Sequence, residues 1–266
     1  MSLRLTPTFR AALAASDRPL AGMWVCSASA TVAEIAAGSG LDWLLIDMEH
    51  SATSLDSVLA QVQVAAAYPV TPVVRVPWND AVTIKRVLDV GAQNLIVPMI
   101  STAAEARAAV AATRYPPAGI RGVGSALARS ARWNRVDGYL ATATEHVSLT
   151  VQIETAAAVD AAAEIAAVEG VDAVFVGPSD LSASMGLLGQ QSHPDVVAAV
   201  HRVFEAAHAA GVAVGVNAFD PLVAEAYLDA GADFVAVGAD VALLARASEA
   251  LAARFVHPGE TTRGSY

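Results

Sequence analysis

The 266-residue chain contains one cysteine, Cys26, and one lysine, Lys85. A single thiol makes no intrachain disulfide and no cysteine-cluster zinc site, so a reducing, cytoplasmic compartment is the expectation. The lysine count bears on carbonyl chemistry. Lys85 stands in Thr83-Ile84-Lys85-Arg86-Val87-Leu88, a helical pattern whose Ile84, Val87 and Leu88 face inward and leave the amine on the polar side. Schiff-base catalysis needs an amine desolvated beside its substrate, which this pattern does not offer. Also absent is any apolar run of 18 or more residues, so no membrane-spanning helix is expected, and residues 11–15 are too short for a signal-peptide core. No phosphate-binding loop occurs, and Gly119, Gly122 and Gly124 lack the strand–turn–helix context of a dinucleotide fingerprint. No linker or repeat beyond the βα unit divides the chain, so one domain over residues 1–256 and a tail over residues 257–266 are expected.

Basic charge is scarce as well. Sixteen Lys and Arg against 26 Asp and Glu give a formal net charge of −10, which argues against nucleic acid or an anionic membrane as partner. What is abundant is apolar: 55% of residues are hydrophobic and the mean hydropathy is +0.47. That excess must be buried in a core or between subunits. The length suits an α/β barrel of about 250 residues.

Short β-rich apolar runs alternate with Ala-rich segments of helical period, the pattern of a parallel sheet covered by helices. The runs are 21–26, 43–48, 72–76, 94–99, 148–153, 173–177, 212–216 and 233–237. Helix starts are signalled at Ser54 or Asp56, Asn79-Asp80, Ser101-Thr102, Thr155, Pro194-Asp195 and Asp220-Pro221, and helix ends by Gly91, Gly211 and Gly231. Eight strands with crossover helices predict a (β/α)8 TIM barrel, a doubly wound sheet being the alternative. A barrel should gather its chemistry just after the strands. Asp47, Glu49, His50, Arg75, Gln152, Glu154 and Asp180 all stand there. The longest irregular stretch, residues 115–136, belongs to an arginine-rich region holding Arg114, Arg121, Arg129, Arg132 and Arg135, for which anion recognition or subunit salt bridges are expected.

Gln152 and Glu154 are two apart on one strand and project to the same face, and Asp180 arrives from the next loop. Two carboxylates without a nearby histidine or cysteine suit Mg²⁺ or Mn²⁺, whereas the structural alternative is that Glu154 caps the helix at Thr155 and Asp180 caps its own loop. Arg75 inside an apolar strand needs an anion, either Asp47 or Glu49 or a bound substrate. His50, flanked by acids, offers a base or a structural residue. Cys26 can be a nucleophile or a small buried hydrophobe. Trp24 lines the mouth or fills the core, and His201 and His208 read as a solvated helix edge.

The segments Trp43-Leu44-Leu45-Ile46-Asp47-Met48-Glu49-His50, Pro72-Val73-Val74-Arg75, Tyr115-Pro116-Pro117-Ala118-Gly119-Ile120-Arg121-Gly122-Val123-Gly124, Gln152-Ile153-Glu154-Thr155 and Gly177-Pro178-Ser179-Asp180-Leu181 together resemble the HpcH/HpaI aldolases. These are divalent-metal-dependent (class II) pyruvate aldolases, and the likeness runs over residues 9–255. It implies reversible cleavage of 4-hydroxy-2-oxo acids to pyruvate and an aldehyde, with hydroxypyruvate as a possible second donor and Mg²⁺, Mn²⁺ or Co²⁺ as cofactor. The resemblance casts Glu154 and Asp180 as metal ligands, Gln152 as the neighbour of the bound 2-oxo acid and Arg75 as the enolate-stabilising arginine. His50 becomes the acid–base residue, oriented by an aspartate corresponding to Asp89 from a neighbouring subunit. The backbone of Gly177, Pro178 and Ser179 would hold the substrate carboxylate, and Trp24, Val123 and Asn217 complete the substrate-binding set. It also implies a homo-hexamer, a trimer of dimers exchanging the last barrel helix. Departures are Met48 for a common glycine, Ser179 for alanine and Asn217 for an aliphatic residue, the last bearing on the aldehyde accepted. A citrate-lyase-like acyl-CoA lyase, a 2-oxo acid (oxaloacetate) decarboxylase and a non-catalytic metal-binding scaffold are the alternatives.

Overall fold

The computed structural model describes residues 3–256; the tail expected over residues 257–266 lies outside them. The chain runs α1 (Phe9–Ala15), β1 (Leu20–Val25), α2 (Ala30–Ala37), β2 (Trp43–Asp47), α3 (Leu55–Ala65), β3 (Thr71–Arg75), α4 (Ala81–Asp89), β4 (Asn94–Val97) and α5 (Ala103–Thr113). After a long loop follow α6 (Tyr139–Thr142), β5 (Ser148–Ile153), α7 (Ala156–Asp160), α8 (Ala162–Ala166), β6 (Ala173–Val176), α9 (Pro178–Ser184), α10 (Pro194–Ala209), β7 (Ala213–Asn217), α11 (Pro221–Asp229), β8 (Phe234–Ala239) and α12 (Asp240–Phe255). The eight strands pair in chain order, all parallel, and β1 pairs with both β2 and β8. A ring closed in this way is a (β/α)8 barrel and rules out the doubly wound sheet.

Each apolar run became a strand with ends within about two residues of the sequence reading. Ser54, Asp80, Thr102, Thr155 and Asp220 cap their helices with side-chain oxygens. At Pro194 the cap is instead the ring of His193. Gly91, Gly211 and Gly231 take φ of +101°, +71° and +103°, the left-handed turn that ends a helix and is easiest for a residue without Cβ.

Two apolar layers follow from strand alternation. Outward residues such as Leu95, Val151, Val174 and Val214 pack under the helices, while Leu20, Trp43, Leu45, Val73, Ile96, Phe175 and Phe234 fill the barrel. Gly22 and Gly215 face inward, where a Cβ would overlap the Trp43 and Phe234 rings, so glycine is what admits these large aromatics. Helix α1, unanticipated from sequence, closes the barrel floor. Phe9 is fully buried with its ring centroid 5.1 Å from that of Phe234 and 5.4 Å from that of Trp43, and its N–H donates to Asn94 Oδ1.

The loop arginines mostly do not await an anion. Arg132 donates to the Arg129 carbonyl, Arg135 to the Arg132 carbonyl and Arg129 to the Val90 carbonyl at the end of α4, so these guanidinium groups bond the backbone. Helix α12 leaves Leu243, Leu244, Leu251 and Phe255 exposed. Among the described residues no helix is long and apolar enough to cross a membrane.

Candidate active site

The inward-facing residue at the top of each strand forms the uppermost layer of the barrel. From β1, β2, β3, β5 and β7 these are Trp24, Asp47, Arg75, Gln152 and Asn217, and with His50, Gly177, Pro178, Ser179 and Asp180 they line a cavity of about 250 Å³. A larger groove of about 500 Å³ opens at the barrel's other end, but its Arg10 and Arg18 are paired with Asp172 and Asp42. Chemistry in this fold belongs to the strand C-termini, where the smaller cavity lies.

Arg75 is buried, and its Nε and Nη2 donate to the two oxygens of Asp47 at 2.8 and 3.0 Å. Its Nη1 stands 2.7 Å from Glu49 Oε2, an ion pair outside hydrogen-bond alignment. The guanidinium lies 4.2 Å from the centroid of the Trp24 ring, whose Nε1 donates to Asn217 Oδ1 at 2.6 Å. Both carboxylates weighed from sequence thus bind Arg75, and Trp24 belongs to the mouth and the core at once. Asp47, treated in the sequence only as a salt-bridge partner, organises this corner: its oxygens also accept the backbone N–H of Glu49 and of His50. His50 is thereby fixed at the rim with its ring exposed.

Glu154 is buried just behind the cavity wall. Its Oε1 accepts from the Met99 N–H at 2.7 Å and its Oε2 from Gln152 Nε2. Thr155 caps its own helix, so Glu154 is not the cap. Asp180 stands exposed in the first turn of α9, whose N-cap is Gly177. A Cβ on Gly177 would come within 2.8 Å of Glu154 Oε2 and 3.1 Å of Gln152 Nε2, so only glycine lets β6 end this close to the carboxylate. Burial pushes Glu154 up to about 7, against the hydrogen bonds from Met99 and Gln152, and the Glu49 and Asp180 carboxylates push in the same direction as burial. Glu49 is raised too, chiefly by burial. Cys26 is pushed up to about 12 by burial, with Asp47 and Asp240 adding to it, so at neutral pH it is a thiol and a poor nucleophile.

A divalent ion suits this arrangement. Arg75 serves Asp47 and Glu49, which among the described residues leaves Glu154 buried beside like charges with no cation bonded to it and Gln152 Oε1 buried without a partner. An ion here would be held by one or two carboxylates, with water and substrate completing its shell.

Two residues of the expected set stand elsewhere. Asp89 ends α4 and so lies at the opposite end of the barrel from His50, bonded to the buried Arg121 at 2.8 Å. Val123 is exposed on the loop after α5 and does not line the cavity. The amide cradle expected from Gly177, Pro178 and Ser179 needs correction. Gly177 N–H already donates to the Ile153 carbonyl and proline has no N–H, which leaves the Ser179 amide. Two contributors were missed in the sequence. Met99, at φ +56°, turns its N–H toward Glu154, and Asp240 accepts from the amides of Cys26 and Ser27 to seal the β1–β8 corner. An acid directly after the last strand was a readable signal; the Met99 conformation was not.

The chain is 54% identical over 247 residues to the 4-hydroxy-2-oxo-heptane-1,7-dioate aldolase of Salmonella dublin, a match covering 93% of this chain and 94% of that one. The crystal structure of a HpcH/HpaI aldolase/citrate lyase family protein from Burkholderia cenocepacia superposes with a TM-score of 0.89 at 43% identity, covering 94% and 99% of the two chains. That of a HpcH/HpaI aldolase from Desulfitobacterium hafniense gives 0.86 at 29% identity, covering 97% and 100%. With a family match spanning residues 20–247, the chain belongs to the HpcH/HpaI aldolase/citrate lyase family.

Proposed function

We propose that the protein is a class II pyruvate aldolase that reversibly cleaves 4-hydroxy-2-oxo acids to pyruvate and an aldehyde. The observation that carries this reading is the juxtaposition, at the strand C-termini, of a carboxylate-braced arginine with a buried carboxylate that lacks a cation. Relatives named aldolases agree with it.

Glu154 and Asp180 would hold Mg²⁺, Mn²⁺ or Co²⁺, which when bound supplies a Lewis acid to the carboxylate and ketone oxygens of the 2-oxo acid. Arg75 donates two of its five N–H groups to Asp47 and is ion-paired, without an aligned hydrogen bond, to Glu49. Its other N–H groups then serve the oxygen on which charge develops when pyruvate loses a methyl proton. Because Asp47 and Trp24 hold the guanidinium in place, no reorganisation is needed at that moment. Gln152 lies beside the 2-oxo acid and the Ser179 amide meets its carboxylate. His50, at the rim, gives a proton to the new alkoxide in the condensation direction and removes it in cleavage.

Asp89 lies far from the His50 of its own chain, so it would orient a His50 only as a neighbouring subunit's residue in a shared site. The exposed apolar residues of α12 support an oligomer, a hexamer built as a trimer of dimers with that helix exchanged. A cytoplasmic location fits the single half-buried thiol. Removing divalent ions with a chelator is expected to abolish cleavage of a 4-hydroxy-2-oxo acid, and Mn²⁺, Co²⁺ or Mg²⁺ to restore it. Full activity in the metal-free enzyme would refute the assignment.

A further inference from the structure

Beside the cavity lies a second chamber of about 200 Å³. Pro178, Ser179, Asn217 and Phe219 line both, so the chamber is a side arm of the mouth rather than a separate pocket. It extends to Tyr227 of α11, and Gln191 forms part of its wall. Its volume equals roughly six waters at about 30 Å³ each, room for a tail of a few carbons.

The chamber's wall is rich in hydrogen-bonding groups. Tyr227 is 3% exposed with its hydroxyl enclosed, so what it offers the chamber is its ring. Gln191 Oε1 accepts from Ser179 Oγ, and its amide N–H₂ adds donors. Asn217 accepts the Trp24 N–H, which turns its own amide N–H₂ away as a further donor group. Among the described residues no Lys, Arg or His lines the chamber, its one acidic residue is Asp220, and in the adjoining cavity Arg75 is held by two carboxylates. A carboxylate entering here would leave water with no cation to meet it.

We propose that this chamber is the subsite for the non-reacting end of the aldehyde, and that it selects a short, neutral, hydroxyl-bearing tail over one ending in a carboxylate. The proposal rests on the adjoining cavity being the pyruvate site. It separates this chain from relatives named for a dioate, whose aldehyde product ends in a carboxylate.

The test is pyruvate addition to glyceraldehyde, to propanal with the same carbon chain but no hydroxyls, and to succinic semialdehyde. Wild type is expected to show a kcat/KM for glyceraldehyde at least tenfold above that for succinic semialdehyde. Asn217→Leu should lower the glyceraldehyde-to-propanal ratio of kcat/KM by roughly two- to tenfold, the range of one hydrogen bond. That ratio does not depend on how much of the variant is folded. Gln191→Leu gives a second reading at the chamber's other wall and should move the ratio the same way. A preference for succinic semialdehyde, or ratios unchanged in both variants, overturns the subsite. A wild-type protein that fails to exchange pyruvate methyl protons overturns the donor site beneath it, an outcome the aldehyde comparison does not produce.

Discussion

Arg75 is bound to two carboxylates and stacked on an indole before any substrate arrives. Its role can be tested by pyruvate methyl-proton exchange, which needs the enolate but no aldehyde. Arg75→Ala is expected to lose exchange and cleavage together, by about 10²–10³ for one electrostatic donor. Arg75→Lys should recover little, since a point charge does not reproduce the planar fork that grips Asp47. Exchange at the wild-type rate in Arg75→Ala would demote the arginine to a brace for the segment of Asp47 to His50. Gly177→Ala tests the other wall. Its Cβ would crowd Glu154 Oε2 at 2.8 Å, so Mn²⁺ affinity should fall while far-ultraviolet circular dichroism stays unchanged. Unaltered affinity would show that Glu154 is not held by this contact. At this scale the sequence was informative where chemistry and burial conflict. An arginine in Val73-Val74-Arg75-Val76 announces an anion, and Gln152 with Glu154 announces a shared face. Sequence spacing could not show that Asp47 braces Arg75 and His50 together, because that depends on the pairing of β2 with β3 in register at Asp47 and Arg75.

The elements between strands were legible where a polar cap meets an apolar period, as at Asp80 before Ile84, Val87 and Leu88. Helix α2 has the same kind of cap in Ser29, yet its run of small alanines carries a weak period. The helical segment after β5 divides at Ala161 into α7 and α8, a break that no glycine or proline marks. Helix α1 was missed because only tertiary structure reveals its purpose: Thr8 caps it and Phe9 enters the barrel floor between Trp43 and Phe234. Phe9→Ala should therefore destabilise by about 3–5 kcal/mol, the usual loss for a buried phenylalanine. Urea denaturation reads this directly. Cleavage at low temperature should persist, because the plug and the candidate site are at opposite ends of the barrel. A stability within 0.5 kcal/mol of wild type would mean that neighbouring side chains refill the floor. Asp89 shows the limit of reading elements one chain at a time, since α4 carries it away from the His50 of its own subunit.

At the scale of the molecule, the apolar excess seen in composition has two destinations: the two barrel layers and the exposed face of α12. If α12 meets a neighbour, Leu244→Glu should shift the protein to smaller species in sedimentation and lower cleavage with it. An unchanged sedimentation coefficient would remove that residue from an interface. Burial also sets how stability varies with alkaline pH. Cys26, Tyr115 and Tyr227 are all pushed up to about 12, each chiefly by burial, from ordinary values of 9.0 for the thiol and 10.0 for the phenols. In the unfolded chain these groups release their protons near pH 9–10, whereas in the folded chain they hold them to about 12. Between those limits the folded state binds more protons, so stability falls as pH rises. Their contribution is fully present below pH 9 and is lost progressively up to about pH 12. Cys26→Ala removes the earliest of the three. Denaturant titrations from pH 8 to 11 should show a shallower loss of stability in this variant than in wild type, the difference beginning near pH 9. Parallel curves would show that the Cys26 thiol ionises in the folded protein as readily as in water, and its burial between Asp47 and Asp240 would not be what keeps it protonated.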